Sequence, residues 1–171
     1  MAVETTSPFG NLFLKVMARL TAMVPELRYI DQDLGQLEHY EGRPPVSWPC
    51  ALIDVDGFDF SDVGGDNEQI GEGFLIIRLG VPAYSPANNL APGVVRLKAL
   101  EYYNIEQKIQ VALHGWRTEG FSKLLRRKST LEDRNDPVRV RVIPYAVSFD
   151  DDTTKPHTTK VQRPPAIVGN V

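Results

Sequence analysis

Apolar and polar positions alternate most regularly between residues 121 and 149, which we interpret as one long β-hairpin. Its predicted first arm spans 121–130 and its second arm spans 138–149, joined by a cluster of turn-forming residues that ends at Pro137. At about 3.3 Å per residue the second arm extends roughly 40 Å, well beyond the usual strand. A strand this long in a small domain indicates a subunit that reaches beyond its own core.

The apolar side of the second arm changes phase in its middle. Up to Val142 the valines occupy even positions and arginines the odd ones, whereas from Ile143 the apolar residues occupy odd positions. One slipped residue is typical of a β-bulge. The sequence therefore predicts a bulge at 142–144, with Pro144 in the bulge or at an unpaired edge position.

Two segments have the period of an amphipathic helix. The first is predicted to begin with Ser7 as N-cap and Pro8 as its first residue, and to end before Pro25. Its inward stripe consists of apolar residues three or four positions apart, flanked by Phe13 and Met17: Leu12, Val16, Leu20 and Met23. We expect a helix with so wide a stripe to lie on a sheet.

The second helix is predicted over 94–114, with Gly115 as its left-handed stop. One face carries apolar residues at helical spacing, with Ile105 at its edge: Val95, Ala99, Tyr102, Ile109 and Leu113.

Three further apolar stretches have the character of strands. A short one is predicted around 27–30, a first core strand at 46–55 and a nearly unbroken apolar strand at 73–82. The last two are expected to pair as an antiparallel hairpin across an acidic loop at 56–72. The order of elements predicts an α+β fold in two layers: a mainly antiparallel sheet of about four strands, two helices on one face and a long C-terminal β-hairpin.

Length and composition limit the classes of protein. The chain of 171 residues is expected to form a single domain over 1–149, followed by an extended polar tail over 150–171. A single cysteine excludes a disulfide within the chain and favours a reducing, cytosolic origin. We find no apolar run of 18 residues and no secretory signal, and therefore expect no contact with a membrane. The net charge of −3 gives no general case for a nucleic-acid partner.

The acidic loop is the strongest candidate for a metal site. Six carboxylates lie within fifteen residues and together resemble a Ca²⁺ donor set: Asp54, Asp56, Asp59, Asp62, Asp66 and Glu68. Their spacing does not match an EF-hand, because glycine is at the fourth position of the loop and glutamate is missing from the twelfth. We expect a solvated loop and no metal or other cofactor, and keep a metal-binding module or metal-dependent enzyme built on 54–72 as an alternative.

Other motifs with known chemistry fail on context. The pair Gly71 and Gly73 precedes a strand instead of following one, which excludes a dinucleotide-binding turn. The three histidines lie far apart in the sequence, and His114 is interpreted as a favourable charge at a helix C-terminus. Cys50 is expected to be a small buried apolar residue. We therefore predict a protein without catalytic residues.

Charge is segregated along the chain. Residues 31–72 contain eleven acids and one base, whereas residues 117–141 contain eight bases and four acids. Two solvated faces would account for this, but so would a subunit whose acidic region meets the basic region of a neighbour. The predicted interface residues are Arg126, Arg127, Arg139, Arg141, Asp56, Asp59 and Asp62. The same four arginines would also suit a DNA-binding accessory protein.

The layout resembles the tail-terminator or tail-completion proteins of tailed bacteriophages over about residues 8–150. The resemblance is carried by the first helix ending in Met23-Val24-Pro25, the strand 49–54, the second helix ending near Trp116, and the hairpin containing Val138-Arg-Val-Arg-Val-Ile-Pro-Tyr. It implies a non-enzymatic subunit of a six-fold ring, which caps the tail tube and joins it to the neck. The implied partners are copies of itself, the tail-tube protein and a neck or connector protein, with possible passage of DNA through the ring.

The implied location is the tail or neck of a virion that is assembled in the host cytoplasm. A tail-tube or head-closure subunit remains an alternative within the same class. The long acidic loop at 56–72 and the tail after Asp150 depart from the family's layout.

Overall fold

A computed structural model describes residue 5 and residues 7–38, 46–64, 67–82 and 86–154. It contains three helices and a six-stranded mixed, open sheet, and confirms the predicted α+β class. The elements, in chain order, are α1 (Pro8–Met23), β1 (Tyr29–Gln32), β2 (Cys50–Asp62), β3 (Gln69–Pro82), α2 (Gly93–Ala99), α3 (Glu101–Leu113), β4 (Leu125–Arg126), β5 (Thr130–Leu131) and β6 (Val138–Asp151).

The sheet is built around the two long central strands, β3 and β6. Its order is β1-β2-β3-β6-β4, and β5 also pairs with β6. The pairing of β1 with β2 is parallel, and every other pairing is antiparallel. None of the helices in the described part of the chain is long and apolar enough to cross a membrane.

Helix α1 begins and ends where the sequence predicts. The Ser7 side chain accepts a hydrogen bond from the Gly10 backbone N–H, and Pro8 occupies the first turn, where no N–H partner is needed. Leu12, Val16 and Leu20 are fully buried. Met23 was expected on the same stripe but is exposed, and Val24 after the helix end is buried in its place.

The predicted acidic loop at 56–72 is wrong in most of its length. Strand β2 continues to Asp62 and β3 begins at Gln69, so the hairpin is longer than the sequence indicates. One extra residue lies in β2 between Asp56 and Asp59, and Gly57 adopts a φ of +63° there. The extra residue is a β-bulge, which changes the side of β2 that faces the helices. This part of the strand was predicted as a loop because its solvent-facing positions are acidic.

Two glycines of β3 make room for aromatic rings. A Cβ on Gly71 would lie 2.8 Å from Phe60 Cε1 and 3.0 Å from Phe149 Cε1, and one on Gly73 would lie 2.8 Å from Phe58 Cα. The rings of Phe58, Phe60 and Phe149 therefore pack directly on the β3 backbone. Phe9 of α1 joins them, with its centroid 5.0 Å from that of Phe58 and 5.6 Å from that of Phe149.

The predicted second helix is two helices. It breaks at Leu100, whose φ of −96° and ψ of −1° separate α2 from α3. Helix α3 buries five residues against the sheet, whereas α2 buries none. The predicted inward face is therefore right for Tyr102, Ile105 and the residues after them, but wrong for Val95 and Ala99, which are only half-buried. Gly115 ends α3 with a φ of +75°, as predicted.

The predicted bulge in β6 is wrong. Strand β6 pairs with β3 in one continuous register from Gln69 opposite Asp151 to Pro82 opposite Val138. The phase changes because β6 crosses two hydrophobic clusters on opposite faces of the sheet. Val140 packs with Leu37, Cys50 and Leu52 on one face, whereas the residues from Ile143 onwards pack with α1 and α3 on the other.

The first arm of the predicted hairpin is broken into pieces. β4, β5 and a single bridge between Phe121 and Phe149 pair with β6, with unpaired residues between them. The carbonyl of Pro144 accepts a hydrogen bond from the Arg127 N–H at 2.9 Å, so this residue points toward the broken arm. Proline has no N–H to donate, but Pro144 faces the gap between β4 and β5, where no ladder bond is lost.

Candidate interaction surfaces

The face of the sheet opposite α1 and α3, which we call the open face, carries the most distinctive surface. Residues directly opposite each other on neighbouring strands point to the same face. One row across the open face contains Asp56, Phe74, Ala146 and Leu125, on β2, β3, β6 and β4. The row thus runs from an acidic edge to an apolar centre.

The centre of the open face is partly apolar. Phe74 is 39% exposed and Leu125 is 38% exposed, and the half-buried Ile76 and Pro144 form the next row. In the described chain no helix covers this part of the sheet, because both large helices belong to the cluster on the other face.

The two borders of the open face carry opposite charges. Asp54, Asp56 and Asp59 are exposed along β2. Past β4, Lys123 and Arg127 line a 320 Å³ groove together with Leu125 and Phe74. The fold therefore keeps part of the charge segregation of the sequence on one surface.

Asp59 and Glu72 stand directly opposite each other on β2 and β3. Neither makes an ion pair within the described residues. Like charges at directly opposed positions destabilise a sheet. Lys123 and Arg127 line the same groove as this acidic pair.

The structure divides the predicted interface residues between two faces. Asp56, Asp59 and Arg127 belong to the open face. Arg139 and Arg141 instead lie over the rings of Tyr102 and Tyr103 on α3, at 4.4 and 6.0 Å from the ring centroids. The remaining two, Arg126 and Asp62, lie in rows on the face of the sheet that carries α1 and α3. Arg126 is paired opposite Tyr145, and Asp62 accepts a hydrogen bond from Gln69 at 2.8 Å.

The four arginines do not form one phosphate-binding track. Arg141 forms an ion pair with Glu106 at 3.2 Å, and Arg139 is half-buried over Tyr102. Burial raises the pKa of Tyr102 to about 12, so its ring is neutral beside the guanidinium. These contacts hold α3 on the sheet and leave only Arg127 fully exposed among the four.

The six acids proposed for a metal site are spread along the hairpin. Asp54, Asp56, Asp59 and Asp62 follow β2 on both of its faces, Glu68 lies at the start of β3, and Asp66 lies outside the described residues. Within the described residues, no three histidine, cysteine or acidic side chains converge on a point where an ion could bind.

An ion-pair network next to the open face was not predicted from the sequence. Arg78 of β3 contacts Asp33 at 2.9 Å, Glu132 at 2.8 Å and also Glu38. Burial on its own lowers the pKa of Arg78, but its hydrogen bonds to the three carboxylates outweigh burial and raise it. The only sequence signal was a single charge within an apolar strand, and its partners come from two distant segments, the turn after β1 and the segment after β5.

Cys50 and His114 lack the environment of catalytic residues within the described chain. Cys50 is fully buried, as predicted, and burial raises the pKa of its thiol to about 12. His114 Nδ1 accepts a hydrogen bond from the Arg126 N–H at 3.1 Å. His39 and His157 lie outside the described residues.

The outward side of α2 is a second apolar surface. Val94 is 80% exposed and Leu97 is 73% exposed, and Leu100 follows on the same side. Arg96 and Lys98 flank this stripe at about 100° on either side of Leu97. The sequence predicted a buried role only for the opposite side of this helix, because one inward face was expected to extend to residue 114.

A cavity of about 530 Å³ lies between α2, the start of α3 and the strand ends. Its walls include Trp48 and Tyr102, together with acidic and basic side chains. One of the acids, Glu26, forms an ion pair with Lys108, which lowers its pKa. Arg28, Lys98 and Glu101 also line the cavity.

Comparisons with known proteins find likeness only among solved structures. No protein-family model matches the chain, and no curated protein matches it. Among solved structures, the chain is similar to a chain of the virion of a native gene transfer agent (GTA) particle, with a TM-score of 0.45 and 12% sequence identity. The likeness covers 80% of this chain and 92% of that chain. A likeness this distant carries no argument about the role of the present chain.

Proposed function

We propose that the protein is a non-catalytic structural subunit of a bacteriophage or phage-like tail, which forms a ring that caps the tail tube and joins it to the neck. The observation that carries the proposal is the presence, on one small domain, of two partly apolar surfaces that the described residues leave exposed. The open face has an apolar centre between an acidic and a basic border, and α2 has an apolar stripe with basic flanks. Surfaces of this kind suit contacts between copies of one chain.

The resemblance of the sequence to tail terminators supplies the rest of the proposal. A cap of this family is a six-fold ring whose partners are the tail-tube protein and a neck or connector protein, with DNA passing through its centre. Its location is the virion, after assembly in the host cytoplasm. The predicted division into a domain at 1–149 and a tail at 150–171 stays a prediction, since β6 extends to Asp151 and residues 155–171 lie outside the described ranges.

Electron microscopy of tail tubes tests this function. Tube protein is polymerised with increasing amounts of the present protein, and an equal amount of heat-unfolded protein is the control. We expect shorter tubes with added density at one end only. Tubes of unchanged length with bare ends would contradict the proposal.

The same micrographs discriminate the alternative of a tail-tube subunit. A tube subunit polymerises on its own without a fixed length, whereas a cap stops at a ring. The long, continuous pairing of β3 with β6 is compatible with both alternatives. The length distribution of the assemblies that the purified protein forms decides between them.

A further inference from the structure

We propose that α2 of one copy packs on the open face of the next copy. The contact is head-to-tail, because the two surfaces belong to different parts of the same chain. Repeated contacts of this kind close into a ring when the rotation between copies allows it. The inference rests on the proposed function only in requiring that the protein assembles with itself.

The apolar parts of the two surfaces match in size. Helix α2 has seven residues and is therefore about 10 Å long. The apolar centre of the open face spans β3, β6 and β4, which is also about 10 Å at roughly 4.8 Å between strands. Leu97 at the middle of the helix stripe would lie on Phe74 and Ile76, in the way that a helix normally covers a sheet.

The charges of the two surfaces are opposite. Arg96 and Lys98 are the charged residues of α2, and both are exposed. The acidic border of the open face offers Asp54 and Asp56, whereas Asp59 and Glu72 share their groove with Lys123 and Arg127 of the same chain. In the proposed contact the basic flanks of α2 lie next to Asp54 and Asp56. The same charges oppose contact between two α2 helices.

Helix α2 is also only weakly packed against its own chain, which leaves it available for such a contact. It buries no residue in its own chain, and the break at Leu100 separates it from α3, which is held on the sheet. A helix with an apolar side and no buried residue gains stability mainly by packing against a partner.

Two single substitutions, each of which removes one half of the contact, test the proposal. Leu97→Asp removes the helix half, and Phe74→Asp removes the sheet half. Each variant alone is expected to weaken self-association at least about 30-fold. Mixed in equal amounts, the two variants are expected to form a dimer of one copy each and to stop there, because only one intact contact remains between them.

Mass measurement by light scattering reads the result, in the setting where the unsubstituted protein assembles, alone or on tail tubes. Val111→Asp is the matched control, because Val111 is an exposed apolar residue of α3 that belongs to neither surface. Thermal unfolding checks that each variant folds; Val94→Asp and Leu125→Asp replace a variant that does not. Unchanged assembly of either variant, or a mixture that stays monomeric, would overturn the contact.

A charge exchange tests the electrostatic part. Arg96→Glu with Lys98→Glu is expected to weaken assembly, as is Asp54→Lys with Asp56→Lys, and all four changes in one chain are expected to restore it. Lack of restoration would overturn the pairing of these borders. Failure of the contact is distinguishable from failure of the proposed function: rings that form normally from the Leu97→Asp variant refute the contact alone, whereas an unsubstituted protein that stays monomeric with and without tubes refutes both.

Discussion

Single residues decide how closely the strands and rings of this protein approach one another. Gly73 and Gly71 are placed under aromatic rings, and Gly57 takes the positive φ of the bulge in β2. None of these roles is visible in the sequence, where the Gly71–Gly73 pair is identified only as a failed nucleotide-binding motif. Their roles depend on which ring lies opposite, and that is fixed by register across the sheet.

Gly73→Ala is therefore expected to lower the free energy of unfolding by about 2 kcal/mol, because the new Cβ would overlap the Phe58 backbone. Denaturant unfolding measures the change. Gly93→Ala is the control, since a Cβ there meets no atom within 4 Å and alanine favours a helix. Equal stability of the two variants would show that the ring does not rest on Gly73.

Cys50 is expected to be unreactive in the folded protein. Burial raises the pKa of its thiol to about 12, so at pH 8 the reactive thiolate is scarce, and the side chain is fully buried. Since the folded pKa is raised above the unfolded value, this group contributes stability below an unfolded pKa of about 8.5, which is lost as the pH rises toward 12. Labelling with iodoacetamide measures reactivity; rapid modification without denaturant would contradict the burial.

At the scale of elements, the sequence predicts most helices and strands but, apart from α1, not their ends. Helix α1 and β6 were predicted from period and capping residues, because each depends on local pattern. The bulge was predicted in β6 and found in β2, because a phase change in sequence has two causes: an extra residue, or a strand that exchanges one covered face for the other. Only the neighbouring strands distinguish them.

The cluster of phenylalanines joins α1 to the distal halves of β2 and β6. Phe149→Ala is expected to cost about 3 to 4 kcal/mol of unfolding free energy, because its buried ring contacts those of Phe9, Phe58, Phe60 and Phe121. Phe60→Ala, at the exposed side of the cluster, is expected to cost about 1 kcal/mol. Denaturant unfolding compares them, and the reverse order would contradict this packing.

Arg78 joins β3 to the turn after β1 and to the segment after β5. Arg78→Met is expected to lower the unfolding free energy by about 2 to 3 kcal/mol, because it removes the cation paired with Asp33 and leaves Glu38 and Glu132 with Arg134 alone. Lys108→Met breaks only the more exposed pair with Glu26 and is expected to cost clearly less than Arg78→Met. Equal costs in thermal unfolding would show that the network adds nothing beyond a surface ion pair.

At the scale of the whole molecule, the distribution of charge and apolar surface determines what the fold presents to a neighbour. The sequence indicated segregated charge and an interface, and the fold places Asp56, Asp59 and Arg127 on one open face. Arg139 and Arg141 are held within the chain by contacts that no periodicity reveals. The α2 surface was missed because only the opposite side of this helix, with Val95 and Ala99, was assigned to a face from the sequence.

The central claim is that this domain assembles head-to-tail with copies of itself. Light scattering on the chromatographed protein, alone and with tail tubes, measures the mass of the assembly most directly. We predict one discrete species of about six times the chain mass of 19.1 kDa in at least one of the two settings. A strict monomer in both settings would contradict the claim.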